Sequence, residues 1–369
     1  MIPVNTPTLD GNEKKYLMKC IEDGWISSEG PYVKQFEEQF AAYVGHRYGI
    51  AVTNGTTALD IAIKALGITQ DDEVIIPTFT IISCASSVVL AGAKPVVVDC
   101  DIKTWNMDVK KIEEKITKKT KAIMAVHIYG LAVDMDPLLA LTKKYNLKII
   151  EDSAQAHGLK YKDKMCGSMG DIATFSFYPN KHITTGEGGM ILTSSKELAD
   201  KCASYRNLCF RPEQRFVHDE LGTNARMTNI QAALGVAQME SIDARLKRKR
   251  QIGLMYRELL QGLPGVQLPL DKTDYCTNLY WVFGLVINDD HKLTALDVMK
   301  KLGSEQIGTR PFFFSMHEQP VFKKMGWYKD ISCPVSEKIS RQGFYLPSGL
   351  GIKDQEIATV AKSVSKIFS

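Results

Sequence analysis

The sequence predicts an α/β fold: a mostly parallel, seven-stranded sheet flanked by helices, followed by a smaller C-terminal α+β domain. Three observations carry this expectation. Short apolar runs alternate with longer amphipathic stretches over the first two thirds of the chain. Several of those runs are nearly continuous in Ile, Val and Met, as strands buried on both faces are. At 369 residues and 44% apolar side chains, the chain has material for a large core shared between two domains.

The strands are read at Tyr48–Thr53, Glu73–Ile76, Pro95–Asp99, Ala122–His127, Lys148–Glu151, Ile172–Phe177 and Met190–Thr193. Between them lie helical patterns, among them Thr57–Leu66, Val109–Ile116 and Pro137–Tyr145. Alternation of this kind favours parallel strands with helices packed over them. A long helical pattern then runs from Met227 to about Leu260 and stops before Pro264-Gly265, because proline cannot continue a helix. It includes Arg245-Leu246-Lys247-Arg248-Lys249-Arg250, a charge run that reads as a solvated helix face. Strand Leu279–Ile287, helix Ala295–Leu302, strand Ile307–Phe313 and helix Asp354–Ile367 complete the chain. The expected domains are 1–245 and 246–369.

A net charge of +4 suits an enzyme that accepts anionic ligands and gives no sign of a nucleic-acid partner. Eight cysteines without a Cys-x-x-Cys pair are expected to be reduced thiols, and no metal site is expected. The first residues lack a basic region followed by an apolar core, so no signal peptide is expected. No apolar run approaches the roughly 20 residues that span a bilayer. A soluble, cytoplasmic protein is the expectation.

Chemistry concentrates in Phe175-Ser176-Phe177-Tyr178-Pro179-Asn180-Lys181-His182-Ile183-Thr184-Thr185-Gly186-Glu187-Gly188-Gly189. A lysine follows a strand and precedes glycines that let the backbone turn closely around a bulky group. Upstream, Glu151-Asp152 closes an apolar strand, at the carboxyl end where open α/β sheets collect ligands. An amine to hold an aldehyde and a carboxylate to hold a ring nitrogen are what pyridoxal-phosphate chemistry requires. Gln155 could reach the cofactor's phenolic oxygen, although Asp152 as a cap and Gln155 at the surface are equally ordinary. His157 reads as a structural histidine. Asn54-Gly55-Thr56-Thr57 opens a helix, where free N–H groups and hydroxyls favour a phosphate, or where a threonine simply caps the first turn. Ser176, five residues before Lys181, could face the same phosphate.

Taken together these residues resemble the DegT/DnrJ/EryC1/StrS sugar aminotransferases, within the fold-type I pyridoxal-phosphate enzymes. The resemblance spans nearly the whole chain: Gly24-Trp25-Ile26-Ser27-Ser28, Asn54–Leu59, Val74-Ile75-Ile76-Pro77-Thr78, Glu151-Asp152, the Lys181 loop, Gly222-x-Asn224-x-Arg226-Met227-Thr228-Asn229 and Arg310-Pro311-Phe312-Phe313. It implies Lys181 as the Schiff-base lysine, Asp152 at the pyridine nitrogen and Gln155 near the ring oxygen. Thr56, Thr57 and Ser176 would hold the phosphate, joined by Asn224 from a partner subunit, so a homodimer with shared sites is implied. Where relatives often stack an aromatic ring on the cofactor this chain has Ile81, with Phe79 nearby.

The subgroup most resembled is the sugar 4-aminotransferases that make GDP-perosamine or dTDP-viosamine, enzymes of O-antigen and other surface polysaccharides. The implied reaction passes an amino group from L-glutamate, through pyridoxamine phosphate, to C4 of a nucleotide-linked 4-keto-6-deoxyhexose. C3 amination of another nucleotide sugar is the alternative. Relatives that remove a sugar hydroxyl carry histidine at the lysine position. Here Lys181 is present and His182 follows it, which favours amination. A non-catalytic regulator is disfavoured, since no DNA-recognition module is appended. Trp25, Ser27, Arg226, Arg310 and His317 are the substrate-binding candidates. Arg226 would equally serve as a structural ion pair, and the Phe312–Phe314 strip as small-domain core.

Overall fold

The computed structural model describes residues 1–289 and 291–369. All seven expected strands form, with ends moved by a residue or two: β1 Tyr48–Val52, β2 Glu73–Pro77, β3 Lys94–Val98, β4 Thr120–Val126, β5 Lys148–Asp152, β6 Ile172–Ser176 and β7 Gly189–Thr193. They make one sheet in the order β1-β7-β6-β5-β4-β2-β3. The pairs from β6 to β3 are parallel, while β7 lies antiparallel between β6 and β1. Each central strand serves two cores. On β6, Ile172 faces one apolar cluster and Ala173 and Phe175 face another; on β7, Ile191 opposes Met190 and Leu192 in the same way. Near-continuous apolar runs follow from that double burial.

Helices α1 Glu13–Glu22, α2 Pro31–Val44, α3 Gly55–Ala65, α4 Ile82–Leu90, α5 Met135–Tyr145, α6 Lys196–Arg206, α7 Asn229–Met239 and α8 Ile242–Leu260 accompany the sheet. The signals of α2 are plain: Pro31 at its first position, left-handed Gly45 at its end, and Val33, Phe36, Phe40, Ala41 and Val44 buried along one stripe. A second, antiparallel sheet has the order β8 Val266–Gln267, β9 Phe283–Ile287, β11 Gly343–Leu346, β10 Arg310–Pro311. Helices α9 Ala295–Ser304 and α10 Asp354–Phe368 pack on it together with Ile252, Tyr256 and Leu260 of α8. We propose 1–245 and 246–369 as the two domains; that boundary cuts the first turn of α8. Among the described residues no helix is long and apolar enough to cross a membrane, and all eight cysteines are buried, free thiols.

Four elements depart from the sequence reading, the first being the strand Leu279–Ile287, which starts only at Phe283. Val109–Ile116 is two 3₁₀ turns, Val109–Lys111 and Glu113–Lys115. Its apolar residues Val109 and Ile112 recur at three, the spacing that eclipses on one side of a 3₁₀ turn. The strand Ile307–Phe313 shrinks to Arg310–Pro311 at the sheet edge, where proline's missing N–H is tolerated. The long helix Met227–Leu260 is two helices, broken at Glu240 and Ser241.

Buried Glu13 bridges the break: it accepts hydrogen bonds from Gln238 of α7 and from Arg245 of α8 at 3.1 Å. One carboxylate thus ties the end of one helix to the start of the next. The run Arg245–Arg250 is therefore no solvated face. Arg245 and Lys249 are 5% and 3% exposed. Arg245 also reaches Thr8, Asp10 and Ser241; Lys249 donates to the Ser348 carbonyl; Arg248 pairs with Asp354 and Arg250 with Asp271. Only Lys247 is fully exposed. The run clamps both ends of the chain to α8.

Removing Arg245 leaves the Glu13 carboxylate buried without its cation. Arg245→Ala is expected to cost about 3–5 kcal/mol, against no more than about 0.5 kcal/mol for Lys247→Ala. Urea denaturation of the two variants measures the difference, and equal effects would refute the clamp.

Candidate active site

A cavity of about 750 Å³ opens where β5 and β6 end and α3 begins. Thr56, Thr57, Asp152, Gln155, Ser176 and Lys181, six of the seven expected cofactor contacts, line it together. Its far wall comes from the second sheet and the segment leading into it: Trp281, Arg310, Phe313 and Tyr345. Ile81 lines the cavity, whereas Phe79 is fully buried among Tyr129, Phe312 and Phe313. The aliphatic side chain, not Phe79, is the one placed to cover a ring.

The end of β5 separates two carboxylates. Glu151, fully buried, accepts from the N–H groups of Gly167, Met169 and Gly170 at 2.5–2.7 Å. His127 Nδ1 accepts from Val133 N–H, so the ring proton sits on Nε2 and is donated to Glu151 at 3.2 Å. Burial raises the Glu151 pKa, but these hydrogen bonds outweigh it and hold the carboxyl below its usual range. Asp152 is 3% exposed and turns to the cavity instead. It accepts from the Cys84 thiol at 3.2 Å and the Ala154 N–H at 3.0 Å. Burial, then the Asp152 charge, raises the Cys84 pKa, so the thiol keeps its proton. Among the described residues no cation pairs with Asp152 within 4.0 Å, leaving a buried anion that calls for a cationic partner.

At the start of α3, Asn54 accepts from Thr57 N–H at 2.9 Å and from its hydroxyl at 3.0 Å. The N–H groups of Gly55 and Thr56 are left for a ligand by helix geometry. Close approach demands the glycines here: a Cβ on Gly55 would come within 2.8 Å of Ser176 Cβ, and one on Gly189 within 2.4 Å of the Asn54 carbonyl. Gln155 Oε1 accepts from Tyr129 N–H at 2.7 Å, so its amide NH₂ is the group it can offer.

The lysine loop is tied at its neck. Phe177 N–H donates to Gly188 O, and Thr185 N–H returns the bond to Phe177 O. Lys181 N–H donates to Tyr178 O within it. Desolvation lowers the Lys181 amine to about 8, with the Asp152 charge acting the other way. Pyridoxal phosphate fits this set: a helix N-terminus and hydroxyls for phosphate, an unpaired buried carboxylate for a protonated ring nitrogen, and an amine near its deprotonation point.

Other candidates lie elsewhere. Asn224 is exposed and outside the cavity. Ser27 and Arg226 line a separate cavity of about 450 Å³, where Arg226 donates to Asn207 at 2.6 Å. Trp25 is half-exposed and lends its carbonyl to Asn229. His317 is buried, with Thr78 at one ring nitrogen and Glu337 at the other, so it has no nitrogen free for a substrate. Trp281 was not singled out from the sequence, where it reads as one apolar position of a strand. Among the described residues no cluster of His, Cys, Asp and Glu could hold a metal ion.

Comparison with known proteins matches residues 7–365 to the DegT/DnrJ/EryC1/StrS aminotransferase family. The chain is 40% identical over 370 residues to a GDP-perosamine synthase of Vibrio cholerae, covering 100% of each. It is 40% identical over 368 residues to that of Escherichia coli O157:H7, covering 100% of this chain and 99% of the relative. The solved structure of DesV from S. venezuelae superposes with a TM-score of 0.90 at 30% identity, covering 97% of this chain and 94% of that one.

Because the folded pKa of Glu151 is depressed, its contribution is present above the unfolded value and is lost as pH falls through the folded one. Glu151→Gln, which turns an NH₂ toward backbone donors, is expected to cost about 2–4 kcal/mol at neutral pH. The same variant should flatten the acid limb of stability against pH, as read by denaturation at pH 3 to 7 (roughly the carboxylate range). A native-like acid limb would remove Glu151 from this role.

Proposed function

The chain belongs to the DegT/DnrJ/EryC1/StrS aminotransferase family, and from that premise we propose that it transfers an amino group from L-glutamate to C4 of a GDP-linked 4-keto-6-deoxyhexose, for surface-polysaccharide synthesis. The family depends on pyridoxal phosphate. The full-length likeness to GDP-perosamine synthases supports the sugar and nucleotide. One observation carries the chemistry: an amine lowered to about 8 shares a cavity with a buried carboxylate that, among the described residues, no cation pairs within 4.0 Å.

When bound, pyridoxal phosphate supplies an electron sink for the carbon that bears the migrating nitrogen. Thr56, Thr57, Ser176 and the first N–H groups of α3 would hold its phosphate, and Asp152 would hold the proton on its ring nitrogen. The Gln155 amide would donate to the ring oxygen, and Ile81 would cover a ring face. Lys181 would carry a proton from the amino-bearing carbon of the donor to the cofactor's aldehyde carbon, and in the second half from that carbon to the sugar carbon that receives the nitrogen. An amine near 8 suits both directions, since it gains and loses a proton at similar cost near neutral pH.

Arg310, which lines the far wall, would take a substrate phosphate. Asn224, Arg226, Trp25 and Ser27 lie outside the cavity, so we propose that a second copy brings them or completes the site in a homodimer. His317 acts instead by bracing Thr78 against Glu337.

The purified protein is expected to show the visible absorption of lysine-bound pyridoxal phosphate and to lose it when L-glutamate is added. Lys181→Ala should lack covalently held cofactor. Mass spectrometry of products from GDP- and dTDP-linked 4-keto-6-deoxyhexoses should show a gained amino group with the GDP compound preferred. No amino group from either panel member would overturn the substrate class. Bleaching only by another amino acid would overturn the donor.

A further inference from the structure

Trp281 stands between the two sheets, two residues before β9, and is 4% exposed. Its indole N–H donates to the carbonyl of Asn180, the residue before Lys181, at 2.9 Å. Its ring lies 4.1 Å from Lys181 Nζ, within the range of a cation held over an aromatic face. It also lines the cavity. Behind it Tyr129 packs at 5.8 Å between ring centroids, and Tyr129 N–H holds Gln155 Oε1. Upstream, Leu279 N–H is tied to Gly130 O at 2.9 Å, which fixes the segment against the large domain. One side chain thus grips the lysine loop through its N–H and the lysine amine through its π face.

We propose that Trp281 is a positioning residue that docks the protonated Lys181 amine whenever that amine is free, and pins the lysine loop through Asn180. The proposal rests on Lys181 being the reactive lysine. Its chemistry is simple. A lysine that carries a proton between two carbon atoms becomes an ammonium in a dry cavity, where desolvation opposes it. The face of an indole stabilises that cation without taking its proton, since it has no basic nitrogen. The titratable groups around the amine are Asp152 on β5, His157 beyond it and His182 on the same loop; Tyr178, Glu187, Arg310 and Tyr345 line the same cavity. Trp281 touches both the amine and its loop.

The test uses the full chain stripped of cofactor. Pyridoxal phosphate is added at a series of pH values, and growth of the visible imine band gives the midpoint at which the lysine becomes reactive. Trp281→Leu is expected to lower that midpoint by about 0.5–1.5 units, because the ammonium loses its partner. Trp281→Phe keeps a π face and loses the N–H, so its midpoint should stay between the two. Its kcat should fall about tenfold with little change in the KM for glutamate, as loosened positioning predicts. Should Trp281→Leu fail to fold, Trp281→Gln, which keeps a donor for Asn180 and lacks the ring, reads the same midpoint. A purely structural tryptophan would lower melting temperatures and leave the midpoint where it was, and that result overturns the proposal. Absence of any imine band in the native chain would instead overturn the assignment of Lys181.

Discussion

The buried carboxylate of Glu151 is the constraint on which the rest of the site depends. It gathers three backbone N–H groups of the Gly167–Gly170 turn and the imidazole of His127 at the end of β4. Those donors have no other partner of comparable strength, and a buried carboxylate with none of them would be untenable. The interaction therefore fixes the ends of β4 and β5 and the turn before β6 at once. Successive strand residues point to opposite sides. With Glu151 committed inward, Asp152 must project the other way, and it does so into the cavity. A structural carboxylate thus sets the direction of the one that lines the cavity.

From that fixed edge the other pieces follow by packing. Helix α3 begins beside β6 because Gly55 and Gly189 let backbones approach where a methyl group would collide. The second sheet closes the far side through an aromatic contact of Tyr129, Phe312, Phe313 and Trp281. Its distance from the large sheet is held by α8, whose Arg245 and Lys249 are buried among the chain's two ends. Lys249 donates to the Ser348 carbonyl, and desolvation lowers its amine to about 7. Such a group sheds its charge far more readily than an ordinary lysine, which eases its enclosure.

Much of this was legible in the sequence, for reasons that particular residues make clear. Strands buried on both faces announce themselves, since Ile, Val and Met must fill both sides, and β1 to β7 were all found. The candidate residues Asn54–Thr57, Asp152 and Lys181 line one cavity because each lies at or just beyond the end of such a strand. What stayed hidden depends on partners distant in sequence. The Arg245–Arg250 run reads as solvated until Glu13, Asp10 and Ser348 are seen to meet it. The break in the long helix is invisible as well: Ser241 breaks no rule by itself, and Glu13, which bridges the two helices, lies far off in the chain. The partners of His317 are hidden too, since Thr78 and Glu337, which stand at its ring nitrogens, lie far off in the chain. Trp281 offered no motif, and only the approach of its ring to Lys181 singles it out.

The sequence Lys181-His182 poses a question that the packing answers. An imidazole next to a proton-carrying amine is its natural competitor, since an unperturbed histidine titrates near neutral pH. His157 and His182 stand 5.7 Å apart between ring centroids, and neither ring nitrogen of either has a hydrogen-bond partner. Desolvation, reinforced by Lys181, takes His157 down to about 3; desolvation, with neighbouring cationic groups, takes His182 well below its usual range. Neither can take a proton at neutral pH, although both lie close to the amine. Lys181, lowered only to about 8, remains the one base in this group able to hold it. The burial that makes the histidines inert is thus what keeps the proton on the lysine, and Trp281 gives that lysine a place to hold it.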